Sequence, residues 1–297
     1  MISKNEKRYQ IGINLAMILI SVIMIFPFLL LISASFTDNE AIVLHGYTLF
    51  PSKFSLEAYK YIWTERNQIF RAYFITIFVT VVGTCTGVMI SLLYGYAISK
   101  RDLPGRNFFS FYLFFTMLFG GGLIPTYIWY TRYLHIKNTI WALLIPGLLM
   151  GAYNVIMIRS YYQNSIPSEL GESAKIDGAG EFTTFFKIYM PLSKPVVATI
   201  AMFQGLAYWN DWTNGLYYIT DNKLFSIQQL LNNIMKNIEY LSNNPNSGMS
   251  AASLGMQIPQ ETVRMAIAVV GMIPVFLLFP MLQKYFVKGI MVGSVKG

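Results

Sequence analysis

The chain has 297 residues, of which 55% are hydrophobic and 12% charged, with a formal net charge of +8. The apolar residues gather into long blocks rather than at amphipathic spacing, and no stretch between them reads as an independent soluble core, which excludes an ordinary soluble globular chain. Lys and Arg sit mostly at the ends of these blocks, with no basic cluster interleaved with exposed aromatics, so the positive balance reads as membrane topology and argues against nucleic acid as a partner.

A helix needs about 20 mainly apolar residues to cross a hydrocarbon core roughly 30 Å thick. Six blocks qualify, at residues 11–36, 70–98, 107–131, 139–161, 195–211 and 263–284. They predict an all-α, polytopic, single membrane domain over residues 1–297. The first block has Lys4, Lys7 and Arg8 before it and Ser33-Ala34-Ser35 near its end, as a cleaved signal would. Its run from Ile11 to Ile32 exceeds the 7–15 residues or so of a signal core and contains Pro27, so it reads as a retained helix. Cys85 is the only cysteine. It lies in the second block, excludes any disulfide or thiolate metal site within the chain, and reads as a buried, inert thiol.

The fifth block is short, and Trp209 and Trp212 at its end suit the interfacial belt where amphipathic rings settle. The segment 213–260 is too long for a simple hairpin. Within it Ile227, Leu230, Leu231, Ile234 and Ile238 have helical spacing, whereas residues 242–248 read as a turn.

Short cytoplasmic loops collect Lys and Arg. With the N-terminus inside, six crossings place Lys100, Arg101 and Arg106 inside, then Lys175, Lys187 and Lys194, then Lys284, Lys288 and Lys296. The basic loops predict a multi-pass membrane chain with both termini cytoplasmic. The spans hold almost no ionisable side chain except at their edges, at Arg71, Arg159, Asp211 and Arg264. Ion-coupled carriers and intramembrane enzymes usually place such groups at membrane depth, so the energy for any transport should come from another chain. His45 and His135 fall in outer loops and read as surface residues.

Between the fourth and fifth spans lies a cytoplasmic elbow at residues 166–191. Pro167 stops the preceding helix, Ser168 can cap a new one, and Glu169 and Glu172 place negative charge in its first turn. Gly178 and Gly180 end it, and a second helix runs from about Glu181 to Tyr189, with Pro191 as its stop. The small residues Ser173 and Ala174, followed by Gly178 and flanked by Leu170 and Ile176, suit docking into a groove of another protein. An amphipathic loop on the lipid surface, anchored by Phe182, Phe185 and Phe186, fits the same local chemistry.

Glu172, Ala174, Gly178, Ile188 and Pro191 fall in register with the EAA motif: Glu-Ala-Ala, three residues, Gly, nine residues, then Ile-x-Leu-Pro. Ser173 and Met190 are mild departures, and Gly171 stands where many members carry glutamate. The chain thus resembles the permease subunits of ATP-binding-cassette importers of the binding-protein-dependent type I class. The resemblance implies that the elbow is the coupling helix, with Glu172, Ser173, Ala174, Asp177, Gly178 and Pro191 serving a partner ATPase. It implies no catalytic residue, metal site or cofactor in this chain, ATP and Mg being bound by a separate ATPase dimer. No Gly-x-x-x-x-Gly-Lys-Ser/Thr loop occurs here, which agrees. The implied partners are a homologous second permease subunit, two ATPase copies and an extracytoplasmic solute-binding protein.

Trp209-Asn210-Asp211-Trp212 and the closing stretch from Gln283 to Gly297 resemble the carbohydrate branch of these permeases, and imply an oligosaccharide or polysaccharide fragment as substrate. Rings stack on sugar CH faces and amides or carboxylates bind hydroxyls, so Tyr208, Trp209, Asn210, Asp211 and Trp212 are candidates for a saccharide path, although aromatics at a span end are also ordinary interface anchors. By resemblance, Lys296 and Gly297 of the tail reach the ATPase dimer. The alternatives are an importer for another solute class, an ion-coupled carrier, and a membrane scaffold or enzyme.

Overall fold

The computed structural model describes residues 4–243, 261–274 and 276. In chain order its helices are α1 (Lys4–Ser35), α2 (Asn39–His45), α3 (Glu57–Thr64), α4 (Arg66–Ser99), α5 (Arg106–Leu118), α6 (Leu123–Ile128), α7 (Trp141–Leu144), α8 (Ala152–Ser165), α9 (Ser168–Ile176), α10 (Glu181–Thr184), α11 (Met190–Leu192), α12 (Lys194–Asn210), α13 (Thr213–Tyr218) and α14 (Ile227–Asn243). A further helix covers 261–274, and two π-helical turns, Trp129–Tyr133 and Phe185–Tyr189, follow α6 and α10. The described residues pack as two compact units, one from residues up to 67 with 231–274, the other from 68–230.

In the first unit, α1 is apolar all round and buries none of its most apolar stretch against its own chain, as expected of a helix whose solvent is lipid or another subunit. Its end is pinned. The Ser33 hydroxyl donates to the Thr48 carbonyl at 2.8 Å, and Phe36 stacks on Phe54 and Tyr59 with centroids 5.8 and 4.9 Å away. The helix over 261–274 joins this unit where the Glu261 amide donates to Asn39 and the Tyr47 hydroxyl donates to the Glu261 carboxylate.

The second unit is organised by α4. Gly83, Gly87, Ser91 and Gly95 recur every four residues along one buried face, so backbones and large side chains approach closely. A side chain at Gly83 would overlap the Tyr208 ring, and one at Gly95 would meet Ile158. Below them Val88, Leu92, Tyr96, Ile158, Tyr162, Phe185, Tyr189 and Ile200 form the core. Cys85 is exposed on the opposite side of α4, not buried as the sequence suggested. A uniformly apolar block does not reveal which face meets its own chain.

Tyr9–Ser35 and Arg66–Ser99 are unbroken helices long and apolar enough to span a membrane. The third predicted span is broken: α5 and the helix over Leu123–Tyr133 meet at 114° across Gly120, Gly121 and Gly122. The fourth is also discontinuous, with residues 145–151 irregular between α7 and α8 and Gly147 at φ 71°. Hydropathy reports withdrawal from water and is blind to helix continuity. The fifth span matches α12, and the sixth is helical over 263–274, its end lying outside the described residues.

Candidate functional site: the elbow and the broken span

The elbow begins where Ile166 adopts an extended conformation after α8. Pro167 is the N-cap of α9 and Ser168 its first residue, so Ser168 does not cap it; only Glu169 lies in the first turn, Glu172 falling one turn later. The helix ends as a Schellman motif. Gly178 adopts φ 78°, its N–H donates to the Lys175 carbonyl at 3.1 Å, and the Ala179 N–H reaches the Ala174 carbonyl at 2.8 Å. A residue with a Cβ is strained at this φ.

After Gly180 the chain stays helical through α10, the π turn and α11. Pro191 therefore does not end the second helix. The π turn widens the coil just before it, so Pro191 falls in the first turn of the next helical segment, where its missing N–H leaves no bond unmade. The break comes at Ser193, whose hydroxyl and amide both donate to the Tyr189 carbonyl.

Four side chains fasten the elbow to the end of α4. The Tyr96 hydroxyl donates to Glu181 at 2.6 Å, and Lys100 Nζ lies 3.7 Å from the same carboxylate. That ammonium also sits 4.7 Å from the Tyr96 ring centroid and 4.9 Å from that of Tyr189. Burial first, then the charges of Glu181 and Glu172, raise the Tyr189 pKa, so the phenol is neutral at physiological pH. Gly171 makes this approach possible, since a Cβ there would lie 3.0 Å from the Tyr189 hydroxyl. Glutamate at this position would crowd the ring.

Glu172, Ser173, Asp177 and Gly178 are exposed on the elbow, and Ile176 and Phe182 project with 86% and 74% of their surface open. Ala174 instead faces its own chain and Phe185 is in the core. The outward surface is thus narrower than the small-residue face read from the sequence.

The second feature is the irregular segment 145–151. Backbone without helical bonding at membrane depth must have its polar groups satisfied by protein. Residues on α12 and α13 supply the donors. The Tyr208 hydroxyl donates to the Leu144 carbonyl at 2.8 Å, Asn214 Nδ2 to Pro146 at 2.9 Å, and Gln204 Nε2 to Leu148 and Leu149 at 3.1 and 3.2 Å. Gln204 in turn accepts from Asn154 Nδ2 at 3.5 Å and occupies space that a side chain at Gly87 would fill. Gln204, an amide in the middle of the fifth apolar block, is the signal in the sequence for this contact.

A family model described as "Binding-protein-dependent transport system inner membrane component" matches residues 104–292, more than half of the chain. The chain belongs to this family. It is 40% identical over 281 residues, covering 95% of this permease and 96% of the relative, to the polygalacturonan/rhamnogalacturonan transport system permease protein YtcP of Bacillus subtilis. It is 27% identical to the trehalose/maltose transport system permease protein MalG of Thermococcus litoralis, over 99% of both chains. A crystal structure of a bacterial ABC transporter that imports the acidic polysaccharide alginate matches with a TM-score of 0.80 and 28% identity, over 96% of this permease and 99% of that chain. The all-helical type I importer permease fold and a multi-pass membrane chain follow.

Of the residues predicted for a saccharide path, the permease commits several to its own structure. Tyr208 is buried on the Leu144 carbonyl, and Asp211 accepts from the Thr213 and Asn214 amides at 3.1 and 3.2 Å, starting α13. Trp209 is 4% exposed beside Tyr73, its indole N–H without a hydrogen-bond partner among the described residues. Asn210 and Trp212 are exposed, as are His45 and His135. Lys296 and Gly297 lie outside the described residues.

Proposed function

We propose that this permease is one membrane subunit of an ATP-driven importer for oligosaccharides or polysaccharide fragments. It pairs with a homologous second permease subunit, with two ATPase copies that bind ATP and Mg on its cytoplasmic side, and with an extracytoplasmic solute-binding protein. Both termini are cytoplasmic, and the tail with Lys296 and Gly297 extends toward the ATPase dimer. The relatives support the substrate class, all three being named for saccharides or polysaccharides.

The observation that carries the reading is the elbow: a short helix closed at Gly178, presenting Glu172, Ser173 and Asp177 outward and fastened through Glu181 to the end of α4. Closure of the ATPase pair displaces such a lever, and α4 receives the displacement directly. Gly178→Asp introduces a Cβ at positive φ and a charge on the docking surface. The expected result is an assembled membrane complex that has lost saccharide-stimulated ATP hydrolysis. Wild-type hydrolysis from that variant contradicts the assignment.

A further inference from the structure

Arg159, in the second half of α8, is partly buried, and its Nε–H is buried without a hydrogen-bond partner among the described residues. The charged group that bears on it is another cation, the Arg106 guanidinium at the start of α5, whose Nε donates to the Ile98 carbonyl at 3.0 Å. α5 and α8 pack beside each other through Leu113 and Val155 over Ile98. Neither arginine is in an ion pair among the described residues, and Asp102, the acid nearest Arg106 in sequence, faces Lys175 at 4.0 Å. Residues 244–260 and 275–297 contain no Asp or Glu. Two neighbouring, partly desolvated guanidinium groups repel unless an anion lies between them, and among the described residues none does.

We propose that Arg106 and Arg159 hold the phosphate of an anionic phospholipid from the cytoplasmic leaflet. Guanidinium binds phosphate with two parallel hydrogen bonds, and basic grooves between membrane helices on the cytoplasmic side are suited to lipid headgroups. The groove sits where the proposed topology puts that leaflet. Phe108 and Phe111, 66% and 64% exposed on the same helix as Arg106, give the acyl chains an apolar surface.

The test uses the complete transporter in nanodiscs of phosphatidylcholine containing spin-labelled phosphatidylglycerol, without nucleotide or sugar, so that it stands or falls apart from transport. Wild type is expected to prefer phosphatidylglycerol. Arg106→Gln or Arg159→Gln each lowers that preference about fivefold and the pair together roughly twenty-five-fold, whereas the double lysine variant, which keeps the charge but loses the paired hydrogen bonds, keeps only part of it. Equal preference in wild type and the double glutamine variant overturns the proposal. So does full displacement of the lipid by inorganic phosphate, which assigns the pair to a free anion, or loss of the second permease subunit from the double variant, which places the counter-charge on that subunit. If the glutamine variants do not assemble, absence of any phosphatidylglycerol preference in wild type still refutes it.

Discussion

Gly87 leaves open the space that the Gln204 carboxamide fills, and from there Gln204 holds two carbonyls of the broken fourth span. Gly87→Ala forces the amide off those carbonyls, an overpacking expected to cost about 1–3 kcal/mol. Gln204→Leu removes the donor and leaves buried carbonyls unpaired, at about 1–3 kcal/mol. Thermal melting of the assembled complex should fall in both. The double variant should cost less than the sum, because one contact is lost twice.

The elbow clamp makes a graded prediction. Lys100 is mostly covered and Glu181 mostly open, with side chains 23% and 64% exposed, so water still screens the pair and Lys100→Met should cost about 1 kcal/mol. Tyr96→Phe removes a hydrogen bond to a carboxylate and should cost about 1.5–3 kcal/mol. Both should lower the ratio of saccharide-stimulated to basal ATP hydrolysis, with Tyr96→Phe the more severe. Equal effects from the two variants, or an unchanged ratio, contradict the clamp.

Asp211 separates a structural from a substrate role. Asp211→Ala removes the acceptor that starts α13 and should cost about 1 kcal/mol of stability, and Asp211→Asn should restore most of it. If uptake by Asp211→Asn has a raised KM at unchanged melting temperature, the carboxylate touches sugar instead.

The elbow was legible in the sequence because its punctuation is local: Gly178 needs positive φ and Pro167 cannot continue a helix. Two details escaped for equally local reasons. Ser168 entered the helix behind a proline N-cap, and Pro191 was absorbed by a π turn that hydrophobic spacing does not register. The breaks in the third and fourth spans were marked by Gly120, Gly121, Gly122 and Gly147, but glycines inside apolar blocks are common in membrane helices and carry no fixed meaning alone. What turns Gly147 into a break is the set of donors at Gln204, Tyr208 and Asn214, more than fifty residues away. The Lys100 to Glu181 fastening is similarly non-local, and neither residue stood out among the charges at span ends.

In the proposed importer, ATP hydrolysis in partner subunits drives saccharide import through this chain. The most direct test of this coupling is uptake of labelled oligosaccharides into vesicles holding the purified permease pair, ATPase and binding protein. Accumulation should require ATP in the vesicle lumen and be abolished by Gly178→Asp, with no response to an imposed proton or sodium gradient. Uptake driven by either gradient without the ATPase would contradict it.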